Sequence, residues 1–208
     1  MQPVSYLIRS RAAPPSVAVL TPSGARVPRP LRDLPRTGLD GVGAWRRVVV
    51  IGTDADLAAA LRALLRADCL DVEVAHVRRA FGARRALHAP ATRVPLIRDD
   101  TGAVVVGAAV WRPPEGQRTL LGEAVVDDTV LFDGEVTGVR VEPTGALPGL
   151  RAAVETGRWR PRRWVVGRAA QLGTTGAQVV RDGALGPRPV RRSTFYRHTQ
   201  GWLRVGRR

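Results

Sequence analysis

Residues 46–77 constrain the fold more than any other part of the chain. Arg46–Ile51 reads RRVVVI, a short apolar run suited to a buried strand. Gly52 interrupts it. Thr53 follows, with Asp56 three residues on, the spacing of a capping box with Asp in place of the usual Glu. Asp54 and Asp56 bring negative charge to the first helical turn, where the helix dipole favours it. Over residues 55–67, Leu57, Leu61, Leu64 and Leu65 recur at helical spacing, while Arg62 and Arg66 fall off that stripe. Leu70–Val77 (LDVEVAHV) then alternates like a strand. A right-handed crossover through the helix makes the two strands parallel. The segment is a β-α-β unit.

Beyond Pro90 the period changes. The pattern predicts strands at Val94–Arg98, Ala103–Arg112, Thr119–Val126, Val136–Glu142, Arg163–Leu172, Ala177–Arg181, Arg191–Arg197 and Trp202–Val205. Turn signals separate them, including Asp133-Gly134 and Asp182-Gly183. Gly149–Thr156 reads as a turn or two of helix, and Phe81–His88 as a second short helix. Residues 1–45 are rich in Pro and Gly and read as partly flexible, with short strands at Val4–Ile8 and Val17–Leu20. The expected class is α+β. A Pro/Gly-rich segment (1–45) precedes a small α/β lobe (46–90) and a larger, sandwich-like antiparallel β lobe with a basic C-terminus (91–208).

Charge narrows the chemistry. All 33 basic residues are Arg, and the net charge is +15. Without Lys there is no P-loop lysine and no Schiff base, and Arg does not titrate near neutrality. Residues 158–208 carry 13 Arg and a single acid, Asp182. Arginine-rich composition of this kind also follows from a GC-rich genome. Read functionally, Arg191, Arg192, Arg197 and Arg204, interleaved with Phe195, Tyr196 and Trp202, form an anion-binding patch for nucleic acid or acidic lipid. Cys69 stands alone, so no intrachain disulfide forms. The longest apolar run, Ala103–Trp111, is too short for a membrane-spanning helix, and no signal core precedes Arg9 and Arg11. A soluble, cytoplasmic, unprocessed protein is the expectation.

Two readings of the Gly52 turn stay open. It is a well-capped helix start, or a site where free backbone N–H groups hold phosphate, with Gly52, Thr53 and Asp54 as its residues. Asp182 is the candidate catalytic acid or base, surrounded by Arg that would keep it ionised, and Arg181 is a candidate phosphate clamp. His76, His88 and His198 are scattered, with no His-Glu-x-x-His and no zinc spacing to Cys69. No metal ligands are assigned.

The order strand, Gly-Thr-Asp-Ala-Asp (52–56), helix, β lobe and late Asp-Gly resembles the diacylglycerol and sphingolipid kinases and their NAD kinase relatives. Gly52 and Asp54 match that family's Gly-Gly-Asp-Gly-Thr loop, while Thr53, Ala55 and Asp56 replace its Gly, Gly and Thr. Asp182 and Gly183 match its late Asp-Gly-Glu turn, with Ala184 in place of Glu. The resemblance implies a lipid-kinase-like phosphotransferase using Mg²⁺ and ATP, with a phosphorylated small molecule or acidic lipid headgroup as partner. Losing two of three loop glycines hinders backbone approach to a triphosphate. A weak or inactive enzyme, a pseudoenzyme, is therefore expected, and Asp54 and Asp182 should face one cleft. The chain also resembles short actinobacterial proteins, some labelled site-2-type metallopeptidases, a label its residues do not support. The alternatives are a β-rich module binding nucleic acid or acidic lipid through its basic C-terminal region, and a plain structural domain.

Overall fold

A computed structural model describes residues 16–78, 82–156 and 162–206. Its first sheet has five strands in the order β1 (Val17–Leu20), β2 (Arg47–Ile51), β3 (Glu73–Val77), β16 (Trp202–Val205) and β4 (Ala91–Val94). The first four run parallel, and β4 is antiparallel to β16. Helix α1 (Asp54–Arg66) makes the β2–β3 crossover, and α2 (Ala83–His88) follows β3.

The middle strand explains why this sheet is stable. All five β2 residues are buried. Val48 and Val50 pack with Leu57, Leu61 and Leu64 of α1. Val49 and Ile51 face the other way, onto Leu31, Ala83 and Ala86. A strand covered on both faces reads as a continuous apolar run, the pattern that marked Arg46–Ile51. Arg47 fits there because its charge is fully bonded. Its Nε donates to Glu73 Oε2 at 2.6 Å, and its terminal nitrogens donate to the carbonyls of Ala86, Leu87 and Ala89 at the end of α2. A cation suits a helix C-terminus.

The second sheet is antiparallel. Its path runs β12 (Val165–Gly167), β11 (Leu150–Val154), β10 (Val139–Pro143), β7 (Ala109–Arg112), β13 (Ala169–Arg181), β15 (Val190–Arg197), β5 (Ile97–Asp99) and β6 (Val104–Val105). The hairpin of β8 (Leu120–Val126) and β9 (Thr129–Val136) and the short β14 (Ala184–Leu185) also pair through β13. The 13-residue β13 shifts register between Gly173 and Ala177. Its first half pairs with β8 and β15, and its second half with β7 and β14. The two halves thus belong to two leaves, and β11 packs against β9 without hydrogen bonding to it. Trp111 and Phe195 fill the space between the leaves, their rings 5.6 Å apart. Trp111 Nε1 donates to the buried Ser193 Oγ at 2.9 Å.

Several expected elements differ. Gly149–Thr156 contains a strand, β11, not a helical turn, because pairing with both β10 and β12 overrides its helix-favouring alanines. The β8–β9 hairpin turns at Asp127-Asp128, with Asp127 at φ +48°, so Asp133-Gly134 lies within the ladder opposite Glu123 and Gly122. The expected strand Val94–Arg98 divides at Pro95, where the chain passes from the first sheet to the second. The run 103–112 breaks at Val106–Ala108. Val17–Leu20 is a strand as expected, whereas Val4–Ile8 falls outside the described residues. Both β4 and β16, beyond residue 90 in sequence, belong to the first sheet.

Candidate functional site

The turn after β2 shows what its residues do. Gly52 has φ +148°, a backbone conformation that side chains rarely adopt, and a side-chain carbon there would collide with Asp56. Thr53 caps α1. Its Oγ1 accepts from the Asp56 N–H at 3.3 Å, while Asp56 Oδ2 accepts from the Thr53 N–H at 2.7 Å and the Thr53 hydroxyl at 2.9 Å. Ser23, in the loop after β1, adds a fourth bond, donating to Asp56 Oδ2 at 3.0 Å. Burial pushes the Asp56 carboxyl up, but these donors outweigh it and hold the group below its ordinary value. The helix N-terminus is therefore already occupied by an anion, the protein's own carboxylate.

Asp54 points away from that cap. Its carboxylate pairs with Arg78, just past β3, and lies 3.8 Å from His76 Nδ1. His76 Nε2 is 3.0 Å from the Gly52 carbonyl. A carbonyl only accepts, so Nε2 carries the proton and a neutral ring leaves Nδ1 with its lone pair. Burial holds His76 below its ordinary pKa and Arg78 acts in the same direction, against the Gly52 carbonyl and Asp54.

Asp182 arrives from the second lobe. The turn Asp182-Gly183 joins β13 to β14 with φ +48° and +89°, the doubly left-handed turn that an Asp-Gly pair favours. Its carboxylate accepts from the N–H groups of Val106, Gly107 and Ala108 at 3.0, 2.6 and 3.0 Å. This is why the run 103–112 breaks: three backbone donors leave the ladder to hold one acid. A side-chain carbon on Gly107 would lie 2.6 Å from Asp54 Oδ2 and 2.9 Å from Asp182 Oδ1. The two acids therefore converge on one point of backbone between the lobes. Burial raises the Asp182 pKa above its ordinary value, and Asp54 adds to the rise, against the three N–H groups.

Two cavities flank this contact. One, of about 910 Å³, runs along the outer face of α1 past Arg62 to Asp182. The other, of about 860 Å³, lies beside β3 and β16 and is lined by His76, Arg78, Arg151 and Arg204. Arg151 is held in place, stacked 4.2 Å from the Trp164 ring centre with Nε and one terminal nitrogen on Glu142.

The remaining candidates separate. Arg181 bonds the fully buried Asp99 through Nε at 2.6 Å. Arg191 and Arg192 are exposed near the start of β15, while Arg197, at its end, donates to the Pro148 carbonyl. Arg204 lies in the other sheet, at the second cavity. The four do not form one continuous face. Sequence reasoning missed His76, Arg78, Gly107 and Arg151 as site residues. Gly107 carried a signal, a lone glycine inside an apolar strand pattern, which often marks close approach by another group. Arg151 carried none.

At the turn itself, one backbone donor that a nucleotide phosphate could use, the Thr53 N–H, is taken by the Asp56 carboxylate. A resident Mg²⁺ is no better served, since Asp54 is paired with Arg78 and Asp182 is held by three N–H groups.

No family model matches the chain, and no curated protein is significantly similar to it in sequence. Solved structures do resemble it. A diacylglycerol kinase from Bacillus anthracis str. Sterne superposes with a TM-score of 0.67 at 11% identity, over 93% of this chain and 97% of that one. An NAD kinase from Archaeoglobus fulgidus, solved in complex with ATP, gives 0.64 at 12% identity, over 92% and 93%. At such identities the likeness is one of fold: the chain has the two-lobed architecture of diacylglycerol and NAD kinases.

Proposed function

We propose that this chain is a kinase-fold protein that binds a phosphorylated ligand between its lobes and transfers no phosphoryl group. The observation that carries the binding is the convergence of Arg78, Arg151 and Arg204, from three separate elements, on one cavity beside His76. Guanidinium groups match phosphate geometry and stay charged at every working pH. The absence of transfer rests on Asp56. Phosphoryl transfer depends on positioning and charge neutralisation, and here two backbone donors of the turn, the Thr53 and Asp56 N–H groups, are spent on the cap.

Thermal unfolding in sodium phosphate, against sodium chloride of equal ionic strength, tests the binding. Millimolar affinity raises Tm by a few degrees at tens of millimolar phosphate. Arg151→Gln and Arg204→Gln should each remove most of that rise. Equal Tm in the two salts refutes the binding. Turnover of Mg²⁺-ATP with a lipid or nucleotide acceptor refutes the rest.

A further inference from the structure

We infer that the outer face of the β8–β9 hairpin, continued across β13 and β15, is a self-association surface on which a second copy of this chain docks about a two-fold axis. The hairpin stands apart in charge. Residues 119–136 hold five acids and no Arg, in a chain of net charge +15. Three of those acids, Glu123, Asp133 and Glu135, are exposed on the ladder, as are Leu121 (46%) and Val130 (63%), while Ala124, Val126 and Phe132 fill the core behind them. Glu123 lies directly opposite Asp133. Like charges so placed repel each other. Among the described residues neither acid has an ion-pair partner, so nothing within the chain offsets that repulsion.

The strand register supplies the complementary charge. One row crosses four strands: Asp133 on β9, Glu123 on β8, Gly173 on β13 and Arg192 on β15. Residues paired in this way share a face, so the exposed Arg192 stands on the same side as the two acids, about 14 Å from Asp133 at the usual strand spacing. That is too far for a pair within one chain. The next row, Val130, Val125, Gln171 and Thr194, carries no charge. A face with acids at one end of a row and a cation at the other is complementary to itself. Rotation of a second copy about an axis parallel to the strands, midway between β8 and β13, sets each Asp133 against an Arg192 of the other copy. The same rotation sets Glu123 over Gly173, which has no side chain in the way, and Val125 and Val130 over Gln171 and Thr194. Stacked sheets lie about 10 Å apart, a gap that Asp and Arg side chains span together. The net charge opposes association at long range, but salt at about 0.1 M screens charges beyond about 10 Å and leaves the facing pairs. None of these residues lines the interlobe cavity, so self-association and phospho-ligand binding are independent.

The test is sedimentation equilibrium of the full chain in chloride buffer. A polar face of four strands gives weak association, so at about 200 µM chain and about 0.1 M salt the mean mass should rise well above the 22.4 kDa of one chain. In about 1 M salt it should fall back to that of one chain. Asp133→Arg and Arg192→Asp should each weaken self-association by about tenfold or more, because like charges then face each other twice. Mixed in equal amounts, the two variants should associate as the unaltered chain does, since both facing positions then hold one Arg and one Asp. Recovery on mixing also shows that each variant is folded. The mass of one chain under the first condition overturns the inference. A dimer that persists in either variant overturns it as well, because the contact would then lie on another face. Loss that mixing fails to restore overturns it too and assigns the acids to a different basic partner.

Discussion

Replacing Asp56 with Ala asks whether an internal carboxylate really fills the anion position of α1. Its Oδ2 accepts from the Thr53 N–H, the Thr53 hydroxyl and the Ser23 hydroxyl at 2.7 to 3.0 Å. The two hydroxyls can turn to other acceptors. The N–H cannot, but it is only part-buried and Thr53 is exposed, so water takes over part of that bond and its loss costs about 0.5–1.5 kcal/mol. Loss of a negative charge from the first turn of the helix adds about 0.3–1 kcal/mol. The sum is about 1–2.5 kcal/mol, or about 2–10 °C in Tm for a chain of this size. The same change should open the position to a free anion. In an Arg151→Gln background, where the cavity contributes little, phosphate should stabilise the Asp56→Ala chain and leave the Asp56 chain unchanged. At twenty times Kd the recovery is about 1.8 kcal/mol. Urea unfolding in phosphate and in chloride measures both quantities. A loss under about 0.5 kcal/mol, the usual size of a surface change, or equal phosphate effects with and without Asp56, would refute the reasoning.

Three further outcomes follow from the same geometry. Gly107→Ala should destabilise by about 1–3 kcal/mol in chemical unfolding, because its new carbon meets both Asp54 and Asp182. Arg47→Met should cost about 1–3 kcal/mol, since it removes the donors to three carbonyls at the end of α2 and leaves Glu73 with Arg46 alone. The Asp182 pKa is raised on folding, so the folded chain holds that proton more tightly than the unfolded one. Its contribution therefore falls as pH rises from the ordinary carboxylate value through the raised one. Asp182→Asn should flatten that part of the stability–pH profile measured by denaturant unfolding.

The β-α-β unit was legible because its signals are local and mutually consistent: a doubly buried strand, a cap at fixed spacing and a leucine-faced helix. Asp182-Gly183 was legible for the same reason, since the pair favours one turn type wherever it stands. Asp133-Gly134 shows the limit. The same dipeptide lies inside β9, because Asp127 took the left-handed position first and the hairpin closed there. Nor did β11 announce itself, as its strand character comes from neighbours on both sides. Of the site, Asp54 and Asp182 were visible as acids next to turns. The arginines of the cavity were not, because Arg78, Arg151 and Arg204 meet only through the pairing of β16 with β3 and the docking of one lobe on the other.

That pairing has a consequence for how the protein is made. Strand β16 sits between β3 and β4, so the first sheet lacks an interior member until Leu203 and Arg204 have been synthesised. An emerging chain can build β1, β2, α1 and β3, yet β3 keeps a bare edge while more than a hundred residues follow. Contacts closed over such a separation form slowly, and an exposed parallel edge invites pairing with other chains. The two lobes are consequently not separable modules. Removing the last strand should unseat β4 as well, and with it the wall that carries Arg204.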